Sequence, residues 1–321
     1  MNVGVIGSGF IVPVFIEVSK LYKDYHLRAI WGRHLEKLIK FEKEFDYYTT
    51  DLDKFLNDEK IDVVYIGLPN ALHYEYAMKA LKHGKHVILE KPFTVHYDES
   101  KKLIDYAKKH KLIIFEAIVT KHNPVYKKMI KLKDKVGEIK MVVANFSQYS
   151  RRYENFKKGI IQPVFDKNMA GGALLDLNVY NIHFVVGMFG KPLNVYYHPN
   201  IEKGVDTSGV LILDYGSFKA ELIAGKDCKA DCYALVQGDL GYLRCNTTTS
   251  RCGSYTLKMN DGKEDNFSEQ DDEFGAWKYE LKEFLNIYKK KDLAKAYEHN
   301  KTTLLVADVL DRAIKSCKLK Y

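Results

Sequence analysis

Over its first 118 residues the chain alternates between two kinds of segment, and this alternation restricts the fold more than any other feature. Short apolar runs rich in β-branched residues stand at Val3–Ile6, Leu27–Trp31, Val63–Ile66, His86–Leu89 and Leu112–Phe115. Between them, Ile11–Tyr22, Leu35–Phe45, His73–His83 and Asp98–His110 have helical spacing. Strand and helix in strict alternation imply right-handed crossovers. The expected fold class is therefore α/β, beginning with a doubly wound parallel sheet of the nucleotide-binding type.

The pattern changes after Glu116. A helix is expected over Pro124–Lys133 and a long alternating strand over Ile139–Tyr149. Further strand-like runs lie at Asn194–His198, Val210–Tyr215, Phe218–Ala224, Tyr233–Gln237 and Tyr255–Met259. Asp214-Tyr-Gly216-Ser and Asn260-Asp-Gly262-Lys read as hairpin turns, so this sheet should be mainly antiparallel. Long amphipathic helices, Glu273–Lys290 and Lys301–Cys317, close the chain. At 321 residues, two domains fit: 1–118 for a dinucleotide and 119–321, an α+β domain, for substrate binding and oligomerisation.

Composition narrows the function classes. Hydrophobic residues make up 46% and charged residues 29%, which excludes a disordered or fibrous chain. The uncharged opening Asn2–Ile16 falls short of the roughly 20 apolar residues of a membrane span and follows no basic segment, so no membrane partner and a cytoplasmic location are expected. Five cysteines, an odd number, argue against a disulfide framework. Cys228 and Cys232 lack the spacing of a zinc site, and no metal is expected. The net charge of +8 comes from lysines spread along the whole chain, with only seven arginines, which points away from nucleic acid.

The first turn carries a phosphate-binding signature. Gly7-Ser8-Gly9-Phe10-Ile11-Val12 follows the first strand and opens the first helix. The first glycine permits a tight turn. The second lets a diphosphate approach backbone N–H groups at a helix N-terminus. Val12 stands where a small residue is usual. The second strand ends Ile30-Trp-Gly32-Arg33-His34, without the acid that would bind the ribose 2′-hydroxyl of NAD. Arg33, with Lys37 one helical turn on, suits a 2′-phosphate instead, so NADP is favoured and NAD remains possible. The loop Leu68-Pro69-Asn70-Ala-Leu-His73 leaves a further strand end and would flank the cofactor.

The fourth of these strands ends in Glu90-Lys91-Pro92, at the edge where open parallel sheets bind ligands. An ammonium there can hydrogen-bond a substrate oxygen and stabilise a developing alkoxide. In the second domain, Gly171–His183 reads as a helix on which Asp176, Tyr180 and His183 fall within about 60° of one another at regular helical geometry. A narrow polar stripe on an otherwise apolar helix suits a ligand-facing wall better than a solvated surface. Arg151 and Arg152 are candidates for holding an anionic or hydroxyl-rich substrate.

Together these segments resemble the glucose–fructose oxidoreductase/inositol dehydrogenase (Gfo/Idh/MocA) family. The marks are GSGFIV at Gly7–Val12, LPNALH at Leu68–His73, GKHVILEKP at Gly84–Pro92, EA at Glu116–Ala117 and GGALLDLNVY at Gly171–Tyr180. The resemblance covers nearly the whole chain, and the run ending in EKP is its most specific part. It implies an N-terminal Rossmann domain, a C-terminal open antiparallel sheet with helices on one side, and homo-oligomers, commonly dimers, paired through that sheet. It carries the family's catalytic lysine onto Lys91 and a helix aspartate onto Asp176. Tyr180 occupies the place used in the dihydrodiol and D-xylose dehydrogenase branch. His183 is near, but not at, the place of the histidine used by inositol dehydrogenases, and Asn178 stands where glycine is common.

The expected activity is transfer of a hydride between NADP and a secondary alcohol or carbonyl of a sugar, polyol or small diol. Lys91 and Tyr180 would share the hydroxyl proton, with Asp176 orienting substrate or Lys91. Two alternatives use the same binding features: a nicotinamide-binding sensor or scaffold without turnover, and redox-assisted glycoside cleavage. The missing carboxylate at Arg33 generates a direct expectation. NADP should give a higher kcat/KM than NAD in a turnover assay followed at 340 nm.

Overall fold

The apolar runs of the first third form a parallel sheet in the computed structural model, which describes residues 1–270, 274–317 and 319. Its strands are β1 (Asn2–Ile6), β2 (His26–Trp31), β3 (Tyr47–Thr49), β4 (Val63–Ile66), β5 (His86–Glu90) and β6 (Ile114–Ala117). They lie in the order β3-β2-β1-β4-β5-β6, every neighbouring pair parallel. The order reverses between β1 and β4, the position at which such sheets hold ligands beyond the strands' carboxyl ends. Val63–Ile66 is buried at all four residues, as a strand covered on both faces must be.

β3 escapes a reading by periodicity because it is three residues long and only Thr49 is fully buried. The helix expected over Leu35–Phe45 shrinks to Leu35–Leu38 with a 3-10 turn, Ile39–Phe41. Leu38 and Phe41 bury while Leu35 and Ile39 stay exposed, so too narrow a face is buried to sustain a longer helix.

The second sheet runs β7 (Ile139–Ser147), β8 (Asn194–Glu202), β9 (Val205–Asp214), β10 (Lys219–Gly225), β11 (Tyr233–Gly238), β12 (Gly241–Cys245), β13 (Ser254–Met259) and β14 (Glu264–Ser268) along the chain. The spatial order is β14-β13-β12-β11-β7-β10-β9-β8. Among these strands only the β7–β10 pair is parallel. Val142, Ala144, Leu211, Leu213, Ala220, Leu222, Ala234 and Val236 alternate onto one face and join the core with helices Pro124–Leu132 and Val179–Phe189. Asn123 starts the first of these helices by accepting from the N–H groups of Val125 (2.7 Å) and Tyr126 (3.2 Å). On the opposite face Val143, Val210, Ile212, Ile223 and Leu235 stay half-buried.

The chain forms two compact units. The first comprises Met1–Thr94, Asp98–Ala117 and Trp277–Leu304; the second comprises Val95–Tyr97, Ile118–Ala276 and Leu305–Tyr321. The sequence reading placed everything after residue 118 in the second domain, whereas helix Trp277–Lys290 belongs to the first unit. Tyr22 and Tyr25 hold it there, their hydroxyls donating to the carbonyls of Lys278 (2.5 Å) and Leu281 (2.8 Å). The expected start of this helix at Glu273 lies outside the described residues. The final helix, Leu293–Cys317, contributes its first part to one unit and the remainder to the other.

Lys167–Phe189 is apolar and long enough by composition to cross a membrane, but 72% of its most apolar window is buried within this fold. Its helical part begins on a buried carboxylate. Asp206 Oδ2 accepts from the Leu174 N–H (2.7 Å) and from the Tyr197 hydroxyl (2.7 Å). Gly172, at φ +126°, passes so close that a Cβ there would sit 1.9 Å from Asp206 Oδ1. Asp206→Ala should cost about 2–4 kcal/mol, because both donors lose a charged acceptor in a buried place. Urea unfolding should show the loss as a lower midpoint, with Asp206→Asn retaining part of it.

Candidate active site

In the first unit the glycine turn is built by close backbone approach. The Gly7 N–H donates to Trp31 O and the Gly67 N–H to Ile6 O, each at 2.9 Å. Gly7 has φ +118°, and a Cβ on it would lie 2.4 Å from Gly67 O. Gly9 is more open: among the described residues, only Gly67 O would come within 4 Å of a Cβ there, at 3.9 Å. Helix Ile11–Ser19 follows without a side-chain cap on its first turn, so its leading N–H groups can serve an anion. Val12, larger than the residue expected there, is accommodated beside Gly67, whose own Cβ would lie 3.3 Å from a Val12 methyl. Ser8 and Ile11 are half-buried, and Phe10 is 79% exposed at the rim. Arg33 and Lys37 are exposed beyond the end of β2. Glycines at the turn and an uncapped helix start fit a diphosphate.

Glu90 and Lys91 leave β5 at the same edge of the sheet. The Tyr65 hydroxyl donates to Glu90 Oε1 (2.7 Å), and the Tyr65 ring stacks on Phe15 at 3.9 Å. Burial pushes the Glu90 carboxyl up, while the Tyr65 bond and the Lys91 charge pull it back; Glu116 nearby adds to the rise. Glu116 accepts from the Phe93 N–H (3.2 Å), fixing the turn beyond Pro92 to β6. Lys91 is part-exposed.

Leu68, Pro69 and Asn70 are part-exposed, as suits residues flanking a ligand. His73, grouped with them by sequence, is fully buried. Its Nδ1 lies 2.8 Å from Pro92 O and its Nε2 2.9 Å from Leu68 O. Burial lowers its pKa, the two carbonyls oppose that, and the Lys91 charge lowers it further. The ring thus ties the loop after β4 to the turn after β5, and its side chain is enclosed rather than turned to a ligand.

In the second unit the expected regular helix opens with a π-turn, Leu174–Asn178, before Val179–Phe189 continues as α-helix. The wider turn changes the angular relation of Asp176 to the residues after it. Asp176 and Tyr180 are part-exposed, whereas His183 is 2% exposed and lies within the core. The three-residue stripe therefore does not survive intact: the π-turn re-aims Asp176, and within the regular helix His183 falls on the core side while Tyr180 does not. The Tyr180 ring packs 5.8 Å from Phe146.

Asn178 has a structural task in place of glycine. Its amide donates to Leu222 O (3.1 Å), and Asn181 donates to Asn178 Oδ1 (2.9 Å) and to Ile223 O (3.0 Å). Thr249 Oγ1 donates to Asn181 Oδ1 (2.8 Å), so a buried amide network fastens the helix to β10. Arg151 is exposed and Arg152 half-buried, just before the short helix Tyr153–Lys157.

Lys226 is the residue that motif reading missed. Its ammonium pairs with Asp176 Oδ2, the lysine side chain being 3% exposed and the aspartate 30%. A signal was present in the strand period. Ala220, Leu222 and Ala224 point inward along β10, and two residues further the same alternation buries Lys226.

The comparisons with known proteins agree with this architecture. The model of an oxidoreductase family with an NAD-binding Rossmann fold matches residues 1–118, and that of the GFO/IDH/MocA C-terminal domain matches residues 126–244. The scyllo-inositol 2-dehydrogenase (NADP(+)) IolU of Bacillus subtilis is 31% identical over 99% of this chain and 97% of its own. The D-xylose 1-dehydrogenase (NADP(+)) 2 of Haloferax volcanii is 31% identical over 77% of this chain and 76% of its own. The crystal structure of the 3-ketoreductase KijD10 from Actinomadura kijaniata, with NADP and TDP-benzene, has the same fold: TM-score 0.87, 21% identity, 98% of this chain and 97% of that one. From the glycine turn through the strand-ending lysine to the large open sheet, this chain belongs to the Gfo/Idh/MocA family of oxidoreductases.

Proposed function

We propose that the protein is an NADP-dependent dehydrogenase acting on a secondary alcohol of a polyol or sugar, or reducing the corresponding carbonyl. The observation that carries this reading is the edge of the first sheet. There a glycine turn open to a diphosphate follows β1 and a part-exposed lysine follows β5, on either side of the switch in strand order. Relatives named for NADP, including one that matches this chain almost end to end, support the cofactor.

Gly7, Ser8, Gly9 and the first-turn N–H groups at Phe10 and Ile11 hold the diphosphate. Arg33 and Lys37 take the 2′-phosphate, and Leu68, Pro69, Asn70, Glu90 and Pro92 flank the remainder. His73 supports two of those segments from within. When bound, the nicotinamide supplies the hydride donor or acceptor. Lys91 hydrogen-bonds the reacting oxygen and stabilises the negative charge it develops. Tyr180 exchanges the hydroxyl proton, a task for which its part-exposed position suits it better than the enclosed His183. Asp176 engages a neighbouring substrate hydroxyl, with Arg151 and Arg152 further out.

The half-buried apolar face of the second sheet supports pairing of two copies through that sheet. The odd number of cysteines, five, supports a reducing, cytoplasmic setting.

A screen at 340 nm with scyllo-inositol, D-xylose and small diols, each with NADP and with NAD, identifies the substrate. Lys91→Ala should lower kcat by about 10²–10⁴-fold. Its affinity for NADPH, read by fluorescence, should change by less than about threefold, because Lys91 acts on the reacting oxygen rather than on the phosphates. Tyr180→Phe should likewise reduce kcat by about 10²-fold or more while retaining cofactor affinity. Wild-type turnover in Lys91→Ala would remove this lysine from the reaction.

A further inference from the structure

Lys226 places an ammonium where burial makes a charge costly. Its backbone is fixed on both sides, the N–H donating to Thr207 O and the carbonyl accepting from the Ser150 N–H, each at 2.8 Å. Its side chain is 3% exposed, and desolvating an ammonium is costly even beside a partner. An apolar residue of similar length would fill the space without that cost. What the ammonium meets explains why it is there. It pairs with Asp176 on the π-turn, and it stands 4.9 Å over the Phe165 ring.

Phe165 belongs to a small satellite core with Tyr153, Phe156 and Val205. The segment carrying it is hydrogen-bonded to the start of the site helix, the Gly172 N–H donating to Val164 O (3.0 Å) and the Gly171 N–H to Asp166 O (2.9 Å). Gly171 has no room for a side chain, since a Cβ would lie 2.5 Å from Pro163 O. The carboxylate of Asp176 is therefore set from two directions: by the turn that bears it, and by a lysine enclosed between that turn and the satellite core.

We propose that Lys226 is a positioning residue for the reaction, holding the ionised Asp176 carboxylate in the direction in which it accepts a hydrogen bond from a substrate hydroxyl. This rests on the reading that Asp176 engages substrate. A charge-assisted hydrogen bond from an enclosed ammonium holds its partner in one rotamer more firmly than a neutral donor would. The Asp176 side chain stays 30% exposed, in contrast to its enclosed partner.

The test is a double-mutant cycle on the full chain, using scyllo-inositol, or the fastest alcohol of the panel if scyllo-inositol is inert. Lys226→Met should lower kcat/KM by about 10²-fold, mostly through KM, as expected when a positioning group is displaced. NADPH affinity should stay within twofold, and Lys226→Arg should recover most of the loss. Adding Lys226→Met to Asp176→Asn should cause little further loss, because both changes remove one interaction. Should Lys226→Met not fold, by near-ultraviolet circular dichroism, Lys226→Gln takes its place in the cycle. Impairment in Asp176→Asn together with wild-type kcat/KM in the lysine variant would overturn the role of Lys226 alone. Strictly additive losses would do the same. Wild-type kcat/KM in Asp176→Asn would overturn both this role and the reading of Asp176 beneath it.

Discussion

A carbonyl oxygen occupies the place where a methyl group on residue 7 would have to go. Gly67 O lies 2.4 Å from that position, and the contact brings the turn after β1 against the turn after β4. Because the strand order reverses between these two paired strands, the chain leaving β1 and the chain leaving β4 continue toward opposite edges of the sheet. The glycine turn, the first-turn N–H groups of helix Ile11–Ser19, and the loop Leu68–Asn70 all take their positions from it. Val12 shows how local this packing is: a larger residue than the family commonly uses fits because Gly67 leaves space for its methyl.

The second unit depends instead on buried polar groups. Asp206 anchors the start of the site helix, Asn178 and Asn181 fasten its middle to β10, and Lys226 meets Asp176 at the π-turn. Each polar group taken out of water must be matched in direction as well as kind. Such groups therefore fix a helix more narrowly than apolar contacts do. A reaction that moves a hydride and a proton between fixed atoms needs its side chains held to that tolerance.

Motifs that act through backbone geometry were readable directly. Gly7-Ser8-Gly9 announces a turn that only glycine permits, and Glu90-Lys91-Pro92 announces a strand end. Residues that act through a neighbour were not. His73 sits in a recognisable motif, yet nothing in LPNALH says that its ring turns inward to two carbonyls. A regular period puts Asp176, Tyr180 and His183 in one stripe, but a π-turn separates Asp176 from the other two, and His183 packs into the core. β3 and the short helix at Leu35–Leu38 were lost or overdrawn because periodicity over so few residues is weak evidence.

The sequence by itself determined the two sheet types, the glycine turn, the cationic end of β2 and the lysine at the end of β5, because period, turn chemistry and charge are properties of neighbouring residues. The tertiary structure alone decided that Trp277–Lys290 joins the first unit, that Val12 has room beside Gly67, and that Lys226 meets Asp176 fifty positions away in the chain. Those outcomes depend on which buried surfaces and charges are brought together when distant segments pack, and local propensity does not encode that.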